Sequence, residues 1–185
     1  MYATIHEFRC PTDAETGVRE AVAGCLPTGD DPAGLIALAD VADPGSGTAV
    51  ALWTDEPATD GRVYRVTDEF HGRAWGRSPL FAQVTWLNGD GDPTRADAAE
   101  RAGRDRIWPS VREIETVVDT FALRSADDRI VVVGLATGRE TYEQVERAVM
   151  RTELLPSEDP ALLPGYDRID QARVLLAELP TAVRS

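Results

Sequence analysis

Two histidines, His6 and His71, are the only side chains of this sequence that ordinarily titrate near neutrality. His6 lies in the strand-like run Tyr2-Ala3-Thr4-Ile5-His6-Glu7-Phe8 and shares a face with Tyr2, Thr4 and Phe8 by alternation. Either face of that strand can meet the covering helices. Turned into an apolar cavity, His6 could take up and release a proton near the working pH, although a satisfied strand histidine is the plainer reading. His71, in the turn-like run Phe70-His71-Gly72-Arg73, is expected at the solvent surface rather than on an iron. Asp119 interrupts an otherwise apolar strand between Val118 and Thr120. Buried, it would have a raised pKa and could carry a proton; on a solvent-facing strand it would be ordinary.

The other candidates are large rings and turn residues. Trp53 and Trp86 could line a substrate site, with core packing as the simpler role, and Trp108 is expected to cap a helix end beside Pro109. Asn88 follows a strand and precedes Gly89-Asp90-Gly91-Asp92, which marks a turn. That acidic run lacks the glutamate of a calcium loop, so it reads as a polar turn, and no metal site is expected. Cys10 and Cys25 have no metal-finger spacing and read as reduced structural residues, with a disulfide between them the alternative.

Absences exclude more chemistry than the motifs suggest. The chain has no lysine, which removes pyridoxal Schiff bases, lysine aldolases and P-loop nucleotide binding. Two distant histidines cannot form an HExxH zinc site, and neither GxSxG nor GxGxxG occurs. A net charge of −13 disfavours nucleic acid and anionic membranes as partners. No apolar run approaches the ~20 residues of a membrane span, and the opening residues lack signal-peptide character, so a cytoplasmic location is expected. The tail, residues 181–185, is expected to be disordered.

The elements that must position these residues come in two related sets. Residues 2–8 overlay residues 81–87 in size and polarity, with Glu7 against Trp86 the one clash, and residues 48–54 overlay 131–137 in the same order. A period of half the chain indicates duplication of a small unit rather than a repeat array. Strands are expected at 2–9, 34–41, 48–54 and 63–70, then at 80–87, 115–123, 129–137 and 172–179. Pro44-Gly45-Ser46-Gly47 makes the second and third strands a hairpin. A helix should run from Thr12, spaced from Glu15 as a capping box, to Gly24, burying Val18, Val22 and Cys25. A second should run from Thr94 until Pro109 stops it, and a third should follow Thr137, capped with Glu140, along Tyr142, Val145, Val149 and Met150. The matching stretch of the first half, 55–61, carries Pro and Gly and reads as a loop.

The reading is therefore an α+β chain of two ferredoxin-like βαββ(α)β repeats, residues 1–72 and 80–180, joined by a linker over 73–79. Trp75 in that linker should bury itself against one half. Each sheet has one face under helices, and the two open faces can pack together as an intramolecular α/β barrel enclosing a cavity. In element order and repeat the chain resembles the dimeric α/β-barrel superfamily, in a tandem-duplicated form beside the antibiotic-biosynthesis-monooxygenase-like proteins. That resemblance implies a cofactor-independent oxygenase acting on a small hydrophobic or aromatic molecule between the sheets, with His6, Trp53, Trp86 and Asp119 as candidate catalytic residues. A base would form a carbanion or phenolate inside an aromatic cavity that shields it from water. The alternative is a non-catalytic binding or interaction module of the same fold. Haem degradation is a weaker third reading, because Asn88 and Trp86 lie in one half and both histidines in the other. The chain would be a monomer with pseudo-dimeric halves or a homodimer.

Overall fold

A computed structural model describes residues 1–11, 17–27 and 31–180. The first helix's expected start at Thr12 and Glu15, and the tail at 181–185, lie outside the described residues. Eight strands form a closed barrel: β1 (Tyr2–Arg9), β2 (Gly34–Asp40), β3 (Ser46–Trp53), β4 (Val63–His71), β5 (Phe81–Leu87), β6 (Val117–Ser125), β7 (Ile130–Ala136) and β8 (Tyr166–Glu178). Their order around the barrel is β1-β3-β2-β8-β5-β7-β6-β4, with every neighbouring pair antiparallel. Closure hides the strand edges without a second chain.

Alternation decides what fills the barrel. Ala3, Ile36, Leu52, Tyr64, Val84, Phe121, Val133 and Ala172, from all eight strands, belong to one cluster, and residues from every strand can meet only on the barrel axis. Val50, Leu123, Val131 and Leu135 complete this centre, each almost fully buried. In place of the expected open cavity between two sheets, the described residues put one apolar cluster drawn from all eight strands inside the barrel, as in a small barrel whose interior is filled by its own side chains. A groove of about 350 Å³ lies instead on the short β1–β4 seam, lined by Tyr2, Val63, Arg65 and Ser125 among others.

Helices cover the outside. α1 (Gly17–Ala23) lays Val18 and Val22 on Phe8, Ala37, Ala49 and Ala51, with Cys25 beside them as expected. On the other arc, α2 (Pro93–Ala102) passes through a π-helical turn, Gly103–Ile107, into α3 (Trp108–Arg112). Pro109 does not stop this helix. It comes just after the π-helical turn, whose altered hydrogen-bond spacing carries the chain past it into α3. Trp108 accordingly begins a helix rather than ending one, and it packs on Phe70 while its indole N–H donates to Asp68.

α4 (Thr141–Arg151) starts four residues after Thr137, and the expected capping box does not form. Thr137 donates instead to the Thr116 carbonyl, and the Thr141 hydroxyl donates to the Gly138 carbonyl at 2.7 Å. Tyr142 is buried and its hydroxyl bonds the backbone of Ala82 and Ala172, but Met150 is 80% exposed. β8 begins six residues before the expected strand, because the polar run Tyr166 to Gln171 is held by the ladder to β5 rather than by apolar patterning. The hairpin between β2 and β3 is present, organised by Asp40 and Asp43 carboxylates accepting turn N–H groups. No helix among the described residues is long and apolar enough to cross a membrane.

Candidate functional site

β4 and β6 run side by side and pair Glu69 with Phe121, Phe70 with Thr120, and His71 with Asp119. Phe70 points outward into the cluster with Val111 and Val117, so alternation turns Glu69 and His71 toward the barrel side. Phe121 belongs to the barrel core, and Asp119, two residues before it, faces the same way at the point where that core ends. A bulge between Val66 and Asp68 in the β4–β6 ladder sets this register. Three side chains therefore converge on one rim of the barrel.

Asp119 is only 2% exposed. Its Oδ1 lies 3.3 Å from Nδ1 of the half-exposed His71 and accepts the Thr120 N–H at 3.0 Å. Burial pushes its carboxyl up to about 6, and the neighbouring Glu69 pushes the same way. His71 and the Thr120 N–H pull it partly back down. No arginine among the described residues pairs with Asp119: Arg73, the nearest in sequence to His71, is held by Glu113 and Glu115. Donor atoms of Glu69, His71 and Asp119 all lie within 4.8 Å of one another, a set of the kind that could hold a metal ion.

The turn after β4 completes the rim. Gly72 N–H donates to the Val118 carbonyl and Ala74 N–H to the Val117 carbonyl, so Ala74 is driven onto the core. A Cβ on Gly72 would stand 2.3 Å from the Val117 carbonyl oxygen, which requires glycine there. Trp75 is not buried against either half as expected. It is 56% exposed and stacks on His71, with ring centroids 4.7 Å apart.

The four sequence candidates do not meet. His6 and Trp53 face outward under α1, on the side of Phe8 and away from the barrel axis, and His6 pairs with Ala49 whereas Trp53 pairs with Tyr2. Trp53 donates to the Thr4 hydroxyl at 3.1 Å, while burial lowers the His6 pKa and its Nε2 has no partner among the described residues. Trp86 packs against the barrel core at the opposite end, bonded to Asp170 at 2.8 Å and covered by the Arg168 guanidinium. Only Asp119 enters a constellation, and its partner is His71. Asn88 is a buried turn residue at φ 56°, its amide donating to the carbonyls of Asp92 and Asp128. Asp90 and Asp92 are likewise engaged, by Arg95 and as the N-cap of α2. Sequence reasoning misses Glu69 and the role of Trp75, although the i, i+2 spacing of Glu69 and His71 on one strand was a readable signal.

No protein-family model matches this sequence, and no curated protein matches it. Solved structures do match the fold. A candidate monooxygenase from Fusobacterium nucleatum aligns with a TM-score of 0.58 at 12% identity, over 96% of this chain and 93% of its own. A haem-degrading enzyme from Listeria monocytogenes aligns at 0.52 and 8% identity, over 94% and 99%. A major regulator of staphylococcal pathogenesis aligns at 0.60 and 11% identity, over 93% and 98%. This chain thus shares its fold with a candidate monooxygenase, a haem-degrading enzyme and a regulator, so the fold by itself names no function.

Proposed function

We propose that this chain is a small-molecule enzyme whose reaction centre is the His71–Asp119 pair, and that it removes a proton from an acidic phenol or enol as the opening step of monooxygenase-like chemistry. The observation that carries this reading is a buried carboxylate whose one offsetting side chain, among the described residues, is the half-exposed His71 at the rim. Asp119 accepts the Nδ1–H of His71 and so fixes the tautomer that leaves the Nε2 lone pair for a substrate proton. The imidazolium formed is then stabilised by the carboxylate behind it. The exposed face of Trp75 supplies a flat apolar surface for an aromatic ring. A site between the sheets is replaced by one on the barrel rim.

The chain is read as two ferredoxin-like repeats, 1–72 and 80–180, with 73–79 as linker. Supporting this, β4-β1-β3-β2 and β8-β5-β7-β6 place the first to fourth strands of each half in the same order. Because both seams between the halves close within the chain, a monomer is the expected species. Both cysteines are free, which fits a reducing cytoplasm.

The test combines activity and spectroscopy on EDTA-treated protein. Oxygen uptake and solvent hydrogen exchange are followed with polyphenols and 1,3-dicarbonyls, and the His71 tautomer is read by 15N NMR in wild type and Asp119→Asn. Exchange that requires His71, with a tautomer change in Asp119→Asn, supports the reading. Saturable binding of aromatics without exchange would leave the alternative that the filled barrel interior favours, a non-catalytic binding module.

A further inference from the structure

Glu69, His71 and Asp119 present three Lewis bases to one another from two paired strands. Glu69 and His71 are two residues apart on one face of β4, and Asp119 is the direct cross-strand partner of His71. Their donor atoms already lie within 4.8 Å of one another. We propose that these three side chains bind one divalent first-row transition ion, of the zinc or manganese type. The inference rests on the reading of this rim as the reaction centre.

Three features point to a cation rather than to an ordinary polar rim. Asp119 is almost wholly buried, and burying a carboxylate costs several kcal/mol, of order, unless a cation or donors offset it. Among the described residues it has the Thr120 N–H and His71 alone, and no arginine. Glu69 adds a second carboxylate to the same spot instead of a counter-charge. At the opposite end of the barrel, by contrast, Asp170 is matched by Arg168 at 2.9 Å and by the Trp86 N–H. Two carboxylate oxygens and one imidazole nitrogen suit a borderline-hard divalent ion and leave coordination positions for water or a substrate oxygen. The Thr120 N–H on Asp119 is the outer hydrogen bond that orients such a ligand. An ion there would lower the pKa of a coordinated phenol or enol.

The test uses full-length, tag-free protein stripped with EDTA. Co²⁺ is titrated while visible absorption is recorded, and Zn²⁺ is titrated by calorimetry. One ion per chain is expected, with affinity weakened roughly ten-fold or more in each of Glu69→Gln and His71→Gln. His6→Gln, which alters the other histidine, should bind as wild type does. Glu69 is exposed, so its variant tests the site without disturbing the core. Absence of saturable binding to wild type, or equal binding by Glu69→Gln and His71→Gln, overturns the proposal. The tautomer measurement in EDTA separates the two readings: a His71 tautomer that depends on Asp119 without ion binding leaves the acid–base pair standing alone, whereas ion binding without that dependence removes the pair and keeps the metal.

Discussion

The two ends of the barrel carry similar groups in opposite electrostatic states. At one end Trp86, Asp170 and Arg168 form a closed set: the indole N–H and a guanidinium both reach the carboxylate, and the guanidinium also lies over the ring. At the other, Asp119 is buried deeper with only a half-exposed imidazole and a single backbone N–H, beside a second carboxylate. A satisfied carboxylate fastens a strand end. Asp119 keeps a raised pKa because burial outweighs its two hydrogen bonds, and a carboxyl perturbed in this way is a candidate for chemistry.

Breaking each end in turn should therefore give opposite results. The largest effect expected is on catalysis: His71→Gln and Asp119→Asn should each lower proton abstraction roughly 100-fold or more, as for loss of a general base or its orienting group, while Asp170→Asn leaves it unchanged. Initial rates of solvent hydrogen exchange measure this.

Next comes stability. The Asp119 carboxyl has a folded pKa of about 6, above its ordinary 3.8, so the folded state holds this proton more tightly than the unfolded chain. The sign follows: the penalty is absent below the ordinary value, grows between the two, and is complete above about 6. Relative to Asp119→Asn, wild type should lose about 2 kcal/mol between pH 4 and pH 7.5, measured by urea denaturation with EDTA present. A flat difference would mean that the group is already compensated.

Smaller again, Asp170→Asn should destabilise by about 1 kcal/mol through loss of charge-assisted bonds at the closed end, measured by urea denaturation. Least of all, Trp75→Ala should raise KM for aromatic substrates several-fold and leave kcat and the melting temperature nearly unchanged, since the ring is mostly exposed.

The fold was largely legible and the site only in fragments. Strands β1 to β7 carry β-branched or apolar patterns that local reading detects. Asp119 stood out as an acid in an apolar strand, and that signal led to the site. His71 read as a solvent residue of a turn, and it is indeed half-exposed, yet it ends a strand. Nothing local joins residues 71 and 119. Their meeting depends on the pairing of β4 with β6 and on the bulge between Val66 and Asp68 within it.

The same distinction explains His6. Alternation groups it with Tyr2, Thr4 and Phe8, and the sequence determined that grouping together with the strand itself, the acidic charge and the chemistries excluded by the missing lysine. Which face turns to the helices, whether the barrel encloses space, and which acid finds which histidine were decided only in three dimensions. Periodicity is a property of neighbouring residues, so a sequence carries it directly. Facing and register are set by the packing free energy of the whole closed barrel, in which side chains from all eight strands compete for one axis.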